Sequence, residues 1–335
     1  MIDFDYEALR NIGLNNAIIS QLSGVTAGQL CRITEYQRDR ISLHDGSSEF
    51  HARALPRLLA ETPLCVGDWV IAESNALNEV WISQRLSPIN QFARADAPPI
   101  ASNIDTAVLV MGLDADFNLR RLERYLALVA AAEVTPLIVL SKPDICDDPA
   151  GPLAALHQRI PPGTQVLLVN GTSAESVAQL EPWLGTGQTI CLLGSSGAGK
   201  STLTNALTGS TQETGGVRRS DSRGRHTTTA RSLHICPSGA CIIDTPGLRA
   251  LSPESLSSAF DDIESLAAGC QFRDCRHEGE PGCAVIGQVD PDRLRNYHKL
   301  QREVRHNQQT ALERIAERQK WKVVIRSMRT QRKMG

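Results

Sequence analysis

The 335-residue sequence has no long apolar run. Its most apolar stretches, TAVLVMGL and PLIVL, are far shorter than the roughly 18 residues of a membrane-spanning helix, and they predict buried strands. The first residues, MIDFDYEALRNIG, include acids and lack the apolar core of a secretory signal. We therefore expect a cytoplasmic protein without a membrane segment.

Aromatic residues are also few, at 4% of the chain. Proteins that bind single-stranded nucleic acid stack bases on clustered aromatic side chains, and the scattered aromatics of the N-terminal region do not indicate such a platform. The composition, 41% hydrophobic and 21% charged, is otherwise typical of a globular protein, and the length allows two or three domains.

Disulfide bonds are not expected from the nine cysteines, because cytosolic thiols stay reduced. Six cysteines are scattered, several of them within apolar runs, where a small buried side chain is the usual role. The other three lie with a histidine in CQFRDCRHEGEPGC, as Cys270, Cys275, His277 and Cys283. Three thiolates and one imidazole form a ligand set for a structural zinc ion, although the spacing differs from that of a C2H2 finger. We predict one zinc ion, with chance clustering of buried cysteines as the alternative.

Charge is distributed unevenly along the chain. Residues 293–335 contain 13 lysines and arginines against 3 acids, whereas the whole chain has a net charge of −2. This basic arm is either a solvated helical surface or a segment that binds a polyanion, and the size of the imbalance favours the polyanion.

Residues 20–92 divide into five strand-like segments separated by turn residues: GQLCRITEY, DRISLHDG, EFHARAL, CVGDWVIAE and EVWISQRL. Five short strands at this spacing predict a small closed barrel of the OB or the SH3-like type. The spacing leaves both types open, and it leaves open whether the barrel binds RNA or serves as a spacer.

The stretch RADAPPIASNID, residues 94–105, is rich in proline and small residues and predicts a linker. Beyond it, strand patterns alternate with helical patterns as far as ACIIDT. This alternation predicts a mostly parallel sheet with helices on both faces. After about Leu251 the sequence becomes helical and polar.

The most specific motif is a phosphate-binding loop. GSSGAGKST fits G-x-x-x-x-G-K-[ST], follows an apolar strand and opens a helix. Glycines let the backbone wrap around phosphates, Lys200 reaches the β and γ phosphates, and the Ser201 hydroxyl is a Mg²⁺ ligand. The nucleotide-binding residues predicted here are Gly194, Ser195, Ser196, Gly197, Ala198, Gly199, Lys200, Ser201 and Thr202.

CIIDTPG supplies the second part of a nucleotide site. Asp244 ends an apolar strand, where its carboxylate can hold Mg²⁺ through water, while the Gly247 amide meets the γ-phosphate. The preceding segment GRHTTT offers Thr227, Thr228 or Thr229 as the hydroxyl that completes the magnesium shell, and the sequence does not decide among them.

The residue after D-x-x-G is Leu248, where many GTPases have a glutamine that orients the attacking water. Leucine cannot do this, so we expect slow intrinsic turnover. His226 is the nearest polar candidate for the missing catalytic group, and a histidine that only shapes the loop is the alternative.

LSKPDI places Ser141, Lys142, Pro143 and Asp144 after another apolar strand. The Asp144 carboxylate can accept hydrogen bonds from guanine N1–H and the exocyclic amine, and adenine offers neither. The apolar stem of Lys142 can lie along the ring. Ser141 stands where asparagine is usual, which weakens the match. About thirty residues later, Ser173 and Ala174 follow the strand QVLLVNG, where a backbone amide typically meets guanine O6.

The two base motifs therefore precede the phosphate loop, and the two switch motifs follow it. This is the order of a Ras-like domain that was cut after its second switch and whose old ends were joined. Circular permutation is tolerated where chain ends lie close together on the surface, so the same site can form.

These motifs together resemble the ribosome small-subunit-dependent GTPases, the RsgA or YjeQ family. The resemblance is carried by VGDWV, PPIASNID, SKPD ahead of GSSGAGKST, GRHTTT, DTPG and C-x4-C-x-H-x5-C. It implies an OB-fold in residues 1–93, a circularly permuted Ras-like α/β GTPase domain in 94–255, and an α-helical zinc-binding domain with the basic arm in 256–335.

The resemblance also implies a function. The family's GTPase activity is stimulated by the small (30S) ribosomal subunit, and the protein assists late maturation of that subunit, with hydrolysis leading to its release. Expected partners are the 30S subunit and its 16S rRNA, without DNA or membrane, and the protein is expected to be a monomer. Two other interpretations stay open: an RNA-binding module gated by nucleotide, which Leu248 favours, and an ATPase or small-molecule kinase, which Asp144 disfavours.

Overall fold

The computed structural model describes residues 4–37, 40–92, 99–209, 231–245, 256 and 259–308. Its strands are β1 (Gln29–Gln37), β2 (Arg40–His44), β3 (Glu49–Ala54), β4 (Trp69–Ser74), β5 (Val80–Arg85), β6 (Thr106–Gly112), β7 (Thr135–Ser141), β8 (Gln165–Val169), β9 (Thr189–Gly194), β10 (Arg231–Ile235) and β11 (Cys241–Asp244). Its helices are α1 (Tyr6–Arg10), α2 (Asn16–Ile19), α3 (Pro56–Glu61), α4 (Leu119–Ala131), α5 (Ala150–His157), α6 (Ala174–Ala178), α7 (Lys200–Thr208), α8 (Asp261–Ala267) and α9 (Pro291–Gln308). Among the described residues, no helix combines the length and the hydropathy needed to cross a membrane.

Strands β1 to β5 form a closed barrel. The pairs β1–β2, β2–β3, β1–β4 and β4–β5 are antiparallel, and a parallel pairing of β3 with β5 completes the circuit. The interior is filled by fully buried apolar side chains, including Ile33, Leu43, Val70 and Ile82. This five-stranded closure is that of the OB-fold, so the structure decides between the two barrel types left open by the sequence.

The α/β region is built around β9, the strand that precedes the phosphate loop. In the order β10-β11-β9-β6-β7-β8, β9 pairs in parallel with β11 on one side and β6 on the other. The strands before the base motifs, β7 and β8, thus lie on one side of β9, and β10 and β11, which lie in the sequence between the two switch motifs, are on the other. This arrangement confirms the circular permutation.

The central strands are buried on both faces, as expected for a parallel sheet covered by helices. Neighbouring residues of β9 belong to different cores: Leu193 packs in the core that contains Leu126 of α4, and Leu192 packs in the core that contains Leu203 of α7. The helix that carries the phosphate loop and the helix α4 therefore cover opposite faces of the sheet.

The barrel and the α/β sheet are continuous, which the sequence did not predict. β1 of the barrel pairs antiparallel with β10 through Glu35 opposite Ser232 and Tyr36 opposite Arg231. The barrel is therefore hydrogen-bonded directly to the strand next to β11, which ends at Asp244.

The predicted linker is wrong for its second half. Ala101 and Ser102 are fully buried, and they form bridges with Val66 and Gln91 of the barrel region. The Ser102 hydroxyl also donates a hydrogen bond of 2.6 Å to the buried Asp68 carboxylate. Small residues permit this close packing as readily as they permit a flexible linker, so composition alone misled the prediction. Residues 93–98 lie outside the described part.

The C-terminal helix α9 packs against α4, and Tyr297, Leu300 and Val304 on it are buried. Arg293, counted above in the basic arm, is also buried, and its guanidinium lies 2.8 Å from the Glu123 carboxylate of α4. The prediction of a basic segment that binds a polyanion is therefore wrong for Arg293, whose charge is paired inside the protein. Residues 309–335 lie beyond the described part of the chain.

Candidate nucleotide-binding site

Glycines shape the phosphate loop between β9 and α7. Gly197 and Gly199 have φ values of 85° and 96°, in the left-handed region that glycine adopts without strain. A Cβ atom at Gly194 would lie 2.4 Å from the carbonyl oxygen of Val110 in β6. The backbone path of the loop thus explains why glycine is needed at the motif positions Gly194 and Gly199, and why Gly197 between them is also a glycine.

The Lys200 ammonium is held against the same loop. Its Nζ donates hydrogen bonds to the carbonyls of Gly194 and Ser195 at 3.0 and 2.8 Å. Burial lowers the pKa of Lys200, while the carboxylates of Asp244 and Asp116 act in the opposite direction. This arrangement offers a positive charge to a phosphate group that enters the loop.

Asp244 ends β11 opposite Leu192 of β9. Burial raises the pKa of its carboxyl group, and the charges of Lys200 and His234 act against this effect. Ser201 follows Lys200 in the first turn of α7. A carboxylate and a hydroxyl are hard oxygen ligands of the kind that Mg²⁺ prefers, so the donor set fits a magnesium ion carried by a nucleotide.

The first base motif is hydrogen-bonded to the phosphate loop. The Ser141 hydroxyl donates to the Ala198 carbonyl at 2.6 Å, and Lys142 Nζ donates to the Gly197 carbonyl at 2.7 Å. The serine in place of asparagine is therefore long enough to connect the end of β7 to the loop. The mismatch that weakened the motif in the sequence leaves this connection intact.

Pro143 and Asp144 follow in a 3-10 turn, Pro143–Ile145, where Asp144 is exposed. Its carboxylate is thus accessible to a base that binds beside Lys142. The turn begins from an unusual backbone conformation, because Lys142 has a φ of 59°, in the left-handed region.

The second base motif lies beside the first turn of α7. Ser173 caps α6, and its Oγ accepts a hydrogen bond from the Ser176 N–H at 3.3 Å, while Ala174 begins the helix. A Cβ atom at Gly171 in the same loop would lie 3.3 Å from Cγ2 of Thr202. The structure thus brings this loop together with the helix that carries the phosphate loop.

Two acids absent from the predicted site also lie here, in the turn after β6. The Asp114 carboxylate accepts a hydrogen bond from Lys142 Nζ at 2.7 Å. The Asp116 carboxylate accepts hydrogen bonds from the Ser195 hydroxyl and from the Arg121 guanidinium. Ligands of open α/β sheets bind outside the carboxyl ends of the strands, so the position of these acids just after an apolar strand was the signal that could have revealed them.

The switch residues His226, Thr227, Thr228 and Gly247, with Leu248 beside the last, lie outside the residues that the structure describes. Their roles therefore stay predictions from the sequence.

The four predicted zinc ligands converge. The ligand atoms of Cys270, Cys275, His277 and Cys283 all lie within 4.8 Å of one another. His277 Nδ1 is 3.6 Å from Cys270 Sγ and 3.4 Å from Cys283 Sγ, and those two sulfurs are 4.0 Å apart. Around a tetrahedral zinc ion, bond lengths of about 2.3 Å to sulfur and 2.0 Å to nitrogen give about 3.5 Å between N and S and about 3.8 Å between sulfurs. The donor set and its spacing fit zinc.

The surrounding loop supports this cluster. The Ala284 N–H donates to Cys270 Sγ at 3.4 Å. The Glu280 carboxylate accepts hydrogen bonds from the backbone N–H groups of Arg276 and Glu278 at 2.9 and 2.8 Å. These amides lower the pKa of Glu280 to about 2, so its charge orders the segment between Cys275 and Cys283.

Comparison with known proteins agrees with this geometry. A sequence profile of the RsgA GTPase family matches residues 82–254, more than half of the chain. The chain belongs to the RsgA GTPase family. A second profile, described as 50S ribosome-binding GTPase, matches residues 189–325.

Relatives of this RsgA-family chain include two proteins named small ribosomal subunit biogenesis GTPase RsgA. The protein of Xylella fastidiosa (strain M23) is 49% identical over 251 residues, which cover 71% of this chain and 75% of the relative. The protein of Xanthomonas axonopodis pv. citri (strain 306) is 46% identical over 280 residues, which cover 80% of this chain and 77% of the relative.

Two solved structures have the same fold. YjeQ from Thermotoga maritima matches with a TM-score of 0.60 at 22% identity, over 82% of this chain and 98% of that chain. YloQ, described as a circularly permuted GTPase, matches with a TM-score of 0.57 at 26% identity, over 85% and 97% of the respective chains. These matches support the permuted strand order found here.

Proposed function

We propose that this chain hydrolyses GTP while bound to the small ribosomal subunit, assists late maturation of that subunit, and leaves it after hydrolysis. One observation carries the guanine part of the proposal: Ser141 and Lys142 of the base motif donate hydrogen bonds to Ala198 and Gly197 of the phosphate loop. A base-reading turn and a phosphate loop that are bonded to each other belong to one nucleotide site. The names of the relatives supply the small-subunit part.

In this proposal the base lies between the two base motifs. The exposed Asp144 carboxylate accepts hydrogen bonds from guanine N1–H and the exocyclic amine, and the stem of Lys142 contacts the ring. A backbone amide of Ser173 or Ala174 donates to guanine O6. Adenine would leave the Asp144 charge without a partner, so the site rejects ATP.

The phosphates bind to residues 194–202. Lys200 contacts the β and γ phosphates, and Ser201 with Asp244 holds the Mg²⁺ that accompanies the nucleotide. Thr227 or Thr228 completes the magnesium shell, and the Gly247 amide meets the γ-phosphate. His226 is the proposed catalytic group that replaces the glutamine missing at Leu248.

The zinc cluster has a structural role in this proposal. Four protein ligands, Cys270, Cys275, His277 and Cys283, fill the tetrahedral coordination of one zinc ion and leave no position for a substrate. The ion would hold together the loop that precedes α9.

We also propose the division of the chain into an OB-fold (1–93), a permuted GTPase domain (94–255) and a zinc-binding domain (256–335). In this proposal the barrel and the basic segment beyond α9 bind 16S rRNA, the C-terminal segment through its surplus of lysine and arginine, which favours a polyanion. The protein acts as a monomer in the cytoplasm, without DNA.

GTP turnover at fixed salt tests the proposal. It is measured for the protein alone, with saturating small ribosomal subunits, and with large subunits, since one matching profile carries the 50S description. We expect stimulation by small subunits only, and loss of that stimulation in Lys200→Ala. Equal stimulation by both subunits, or by large subunits alone, would contradict the proposed partner.

A second candidate function has one specific observation in its favour. Leu248 replaces the glutamine that orients water in many GTPases, as expected if hydrolysis were incidental in an RNA-binding module gated by nucleotide. Small-subunit binding that requires GTP, combined with turnover that the subunit does not stimulate, would favour this second function.

A further inference from the structure

Asp114 and Lys142 form an ion pair next to the base motif. Lys142 Nζ lies 2.7 Å from Asp114 Oδ2, and both side chains are partly exposed, at 31% and 28%. The other carboxylate oxygen, Oδ1, accepts a hydrogen bond from the Asp116 N–H at 2.9 Å. A Cβ atom at Gly112 would lie 2.6 Å from Oδ1, so the glycine there makes room for this carboxylate.

Lys142 is held at both ends. Its backbone has a φ of 59°, which side-chain-bearing residues adopt rarely, and its ammonium is shared between Asp114 and the Gly197 carbonyl, each at 2.7 Å. A lysine stem normally samples many rotamers, and ordering it costs conformational entropy. With both ends fixed before nucleotide binds, that cost is already met.

The Asp114 carboxylate is suited to this role by its charge. Burial opposes its ionisation, but the Lys142 ammonium and the Asp116 amide outweigh that effect and lower the pKa of Asp114. The carboxylate is therefore charged at neutral pH, where it can hold the Lys142 ammonium.

We propose that Asp114 is a positioning residue for guanine, acting through Lys142. Asp114 holds the ammonium so that the lysine stem is ordered as a contact surface for the base. This inference rests on the proposed guanine-nucleotide site. The stem contacts the base and not the phosphates, so loss of Asp114 should weaken the binding of GTP and the binding of GDP equally.

A double-mutant cycle tests the inference with the full-length protein and a fluorescent GDP analogue. We expect Asp114→Ala to raise the Kd about 10-fold, as for loss of one charge-assisted hydrogen bond. In a Lys142→Ala background the same substitution should raise the Kd less than about twofold, because the group through which Asp114 acts is gone. Asp114→Asn should keep most of the affinity, since its amide oxygen still accepts from the ammonium.

The control is Asp147→Ala, which removes the same charge from an exposed acid just after the base-motif turn. Its Kd should stay within about twofold of the unsubstituted protein. The ratio of GDP to IDP affinity is a second readout. It should stay unchanged in Asp114→Ala, because Asp144 still meets the exocyclic amine that inosine lacks.

Additive effects of Asp114→Ala and Lys142→Ala would overturn the proposal, and so would an Asp114→Asn variant as weak as Asp114→Ala. If Asp114→Ala fails to fold, Asp114→Ser replaces it in both backgrounds, because the shorter serine side chain cannot reach the ammonium, and a Ser effect that persists without Lys142 is the contradicting result. Failure of the unsubstituted protein to prefer GDP over ADP would contradict the proposed function itself, and that outcome is distinct from these.

Discussion

The Glu123 carboxylate of α4 lies 2.8 Å from the Arg293 guanidinium of α9, and both residues are buried. Arg159 and Asn296 complete the contact, each donating a hydrogen bond to the same carboxylate, at 2.9 and 2.5 Å. Burial raises the pKa of Glu123, and these donors act against that shift. The helix that follows the zinc loop is thus fixed to the helix that follows the Asp114–Asp116 turn.

Removal of Glu123 should destabilise the protein strongly. Glu123→Ala removes one of the carboxylates that neutralise the buried Arg293 charge. We therefore expect a loss of about 3 to 5 kcal/mol in the free energy of unfolding. Urea denaturation followed by circular dichroism measures it. Glu303→Ala is the control, because Glu303 pairs with Arg124 at the same interface with its side chain 28% exposed, and about 1 kcal/mol is expected. Equal losses for the two variants would contradict the role given to burial.

Arg32 connects the barrel to the strand of the phosphate loop. Its fully buried guanidinium donates hydrogen bonds to the Thr189 hydroxyl at 2.9 Å and the Asn103 carbonyl at 3.0 Å, and also to the Ile12 carbonyl. A lysine ammonium cannot reproduce the planar, forked set of N–H donors of the guanidinium. We therefore expect Arg32→Lys to lower the free energy of unfolding by about 3 kcal/mol.

Urea denaturation followed by tryptophan fluorescence checks the Arg32 prediction, since the guanidinium lies 5.6 Å from the ring of the buried Trp69. Arg57→Lys is the matched control, because the Arg57 side chain is 89% exposed, and a change below about 0.5 kcal/mol is expected. If the urea midpoint of Arg32→Lys equals that of Arg57→Lys, the contact between the barrel and the α/β sheet does not depend on the guanidinium hydrogen bonds.

The Ser141 hydroxyl should contribute to nucleotide affinity. Ser141→Ala removes the donor to the Ala198 carbonyl, and we expect the Kd for GDP to rise about 3- to 10-fold, as for one hydrogen bond. Titration with a fluorescent GDP analogue measures this. Ser83→Ala in the barrel removes a hydroxyl that donates to Glu73 at 2.7 Å, and its Kd should equal that of the unsubstituted protein. An unchanged Kd in Ser141→Ala would mean that the bond does not organise the loop for binding.

Zinc content should depend on the four clustered ligands. The purified protein should contain about one zinc ion, and Cys283→Ser should contain almost none, because a hydroxyl is a poor ligand for this soft site. Elemental analysis by mass spectrometry measures the content. Cys146→Ser, which changes a half-buried cysteine outside the cluster, should keep the full amount. A protein without zinc when prepared without chelators would refute the site.

The sequence was informative where chemistry requires particular residues at fixed spacing. Gly194, Gly199 and Lys200 are dictated by a backbone that must wrap around phosphates, and the clustered cysteines are close in the chain as well as in space. The order of the motifs was sufficient to predict the permuted strand order, because each motif must follow its own strand.

Other features depend on contacts between distant parts of the chain. Glu123 and Arg293 read as ordinary helix-surface charges, and only the packing of α9 on α4 makes them a buried pair. The pairing of β1 with β10 could not be predicted from the sequence either. The residue pattern of β1 is the same for a strand at the edge of a barrel and for a strand that joins a second sheet. Asp114 was missed because its partner Lys142 is supplied by the next strand, β7.

The motif that precedes the phosphate loop is expected to read guanine through Asp144. The most direct test compares GDP and XDP binding to the unsubstituted protein and to Asp144→Asn. Xanthine carries a carbonyl in place of the exocyclic amine, and an asparagine amide can donate to it while accepting from N1–H. We predict that Asp144→Asn weakens GDP about 100-fold and binds XDP more tightly than GDP. Unchanged GDP preference in Asp144→Asn would contradict the account, because some other group would then be reading the base.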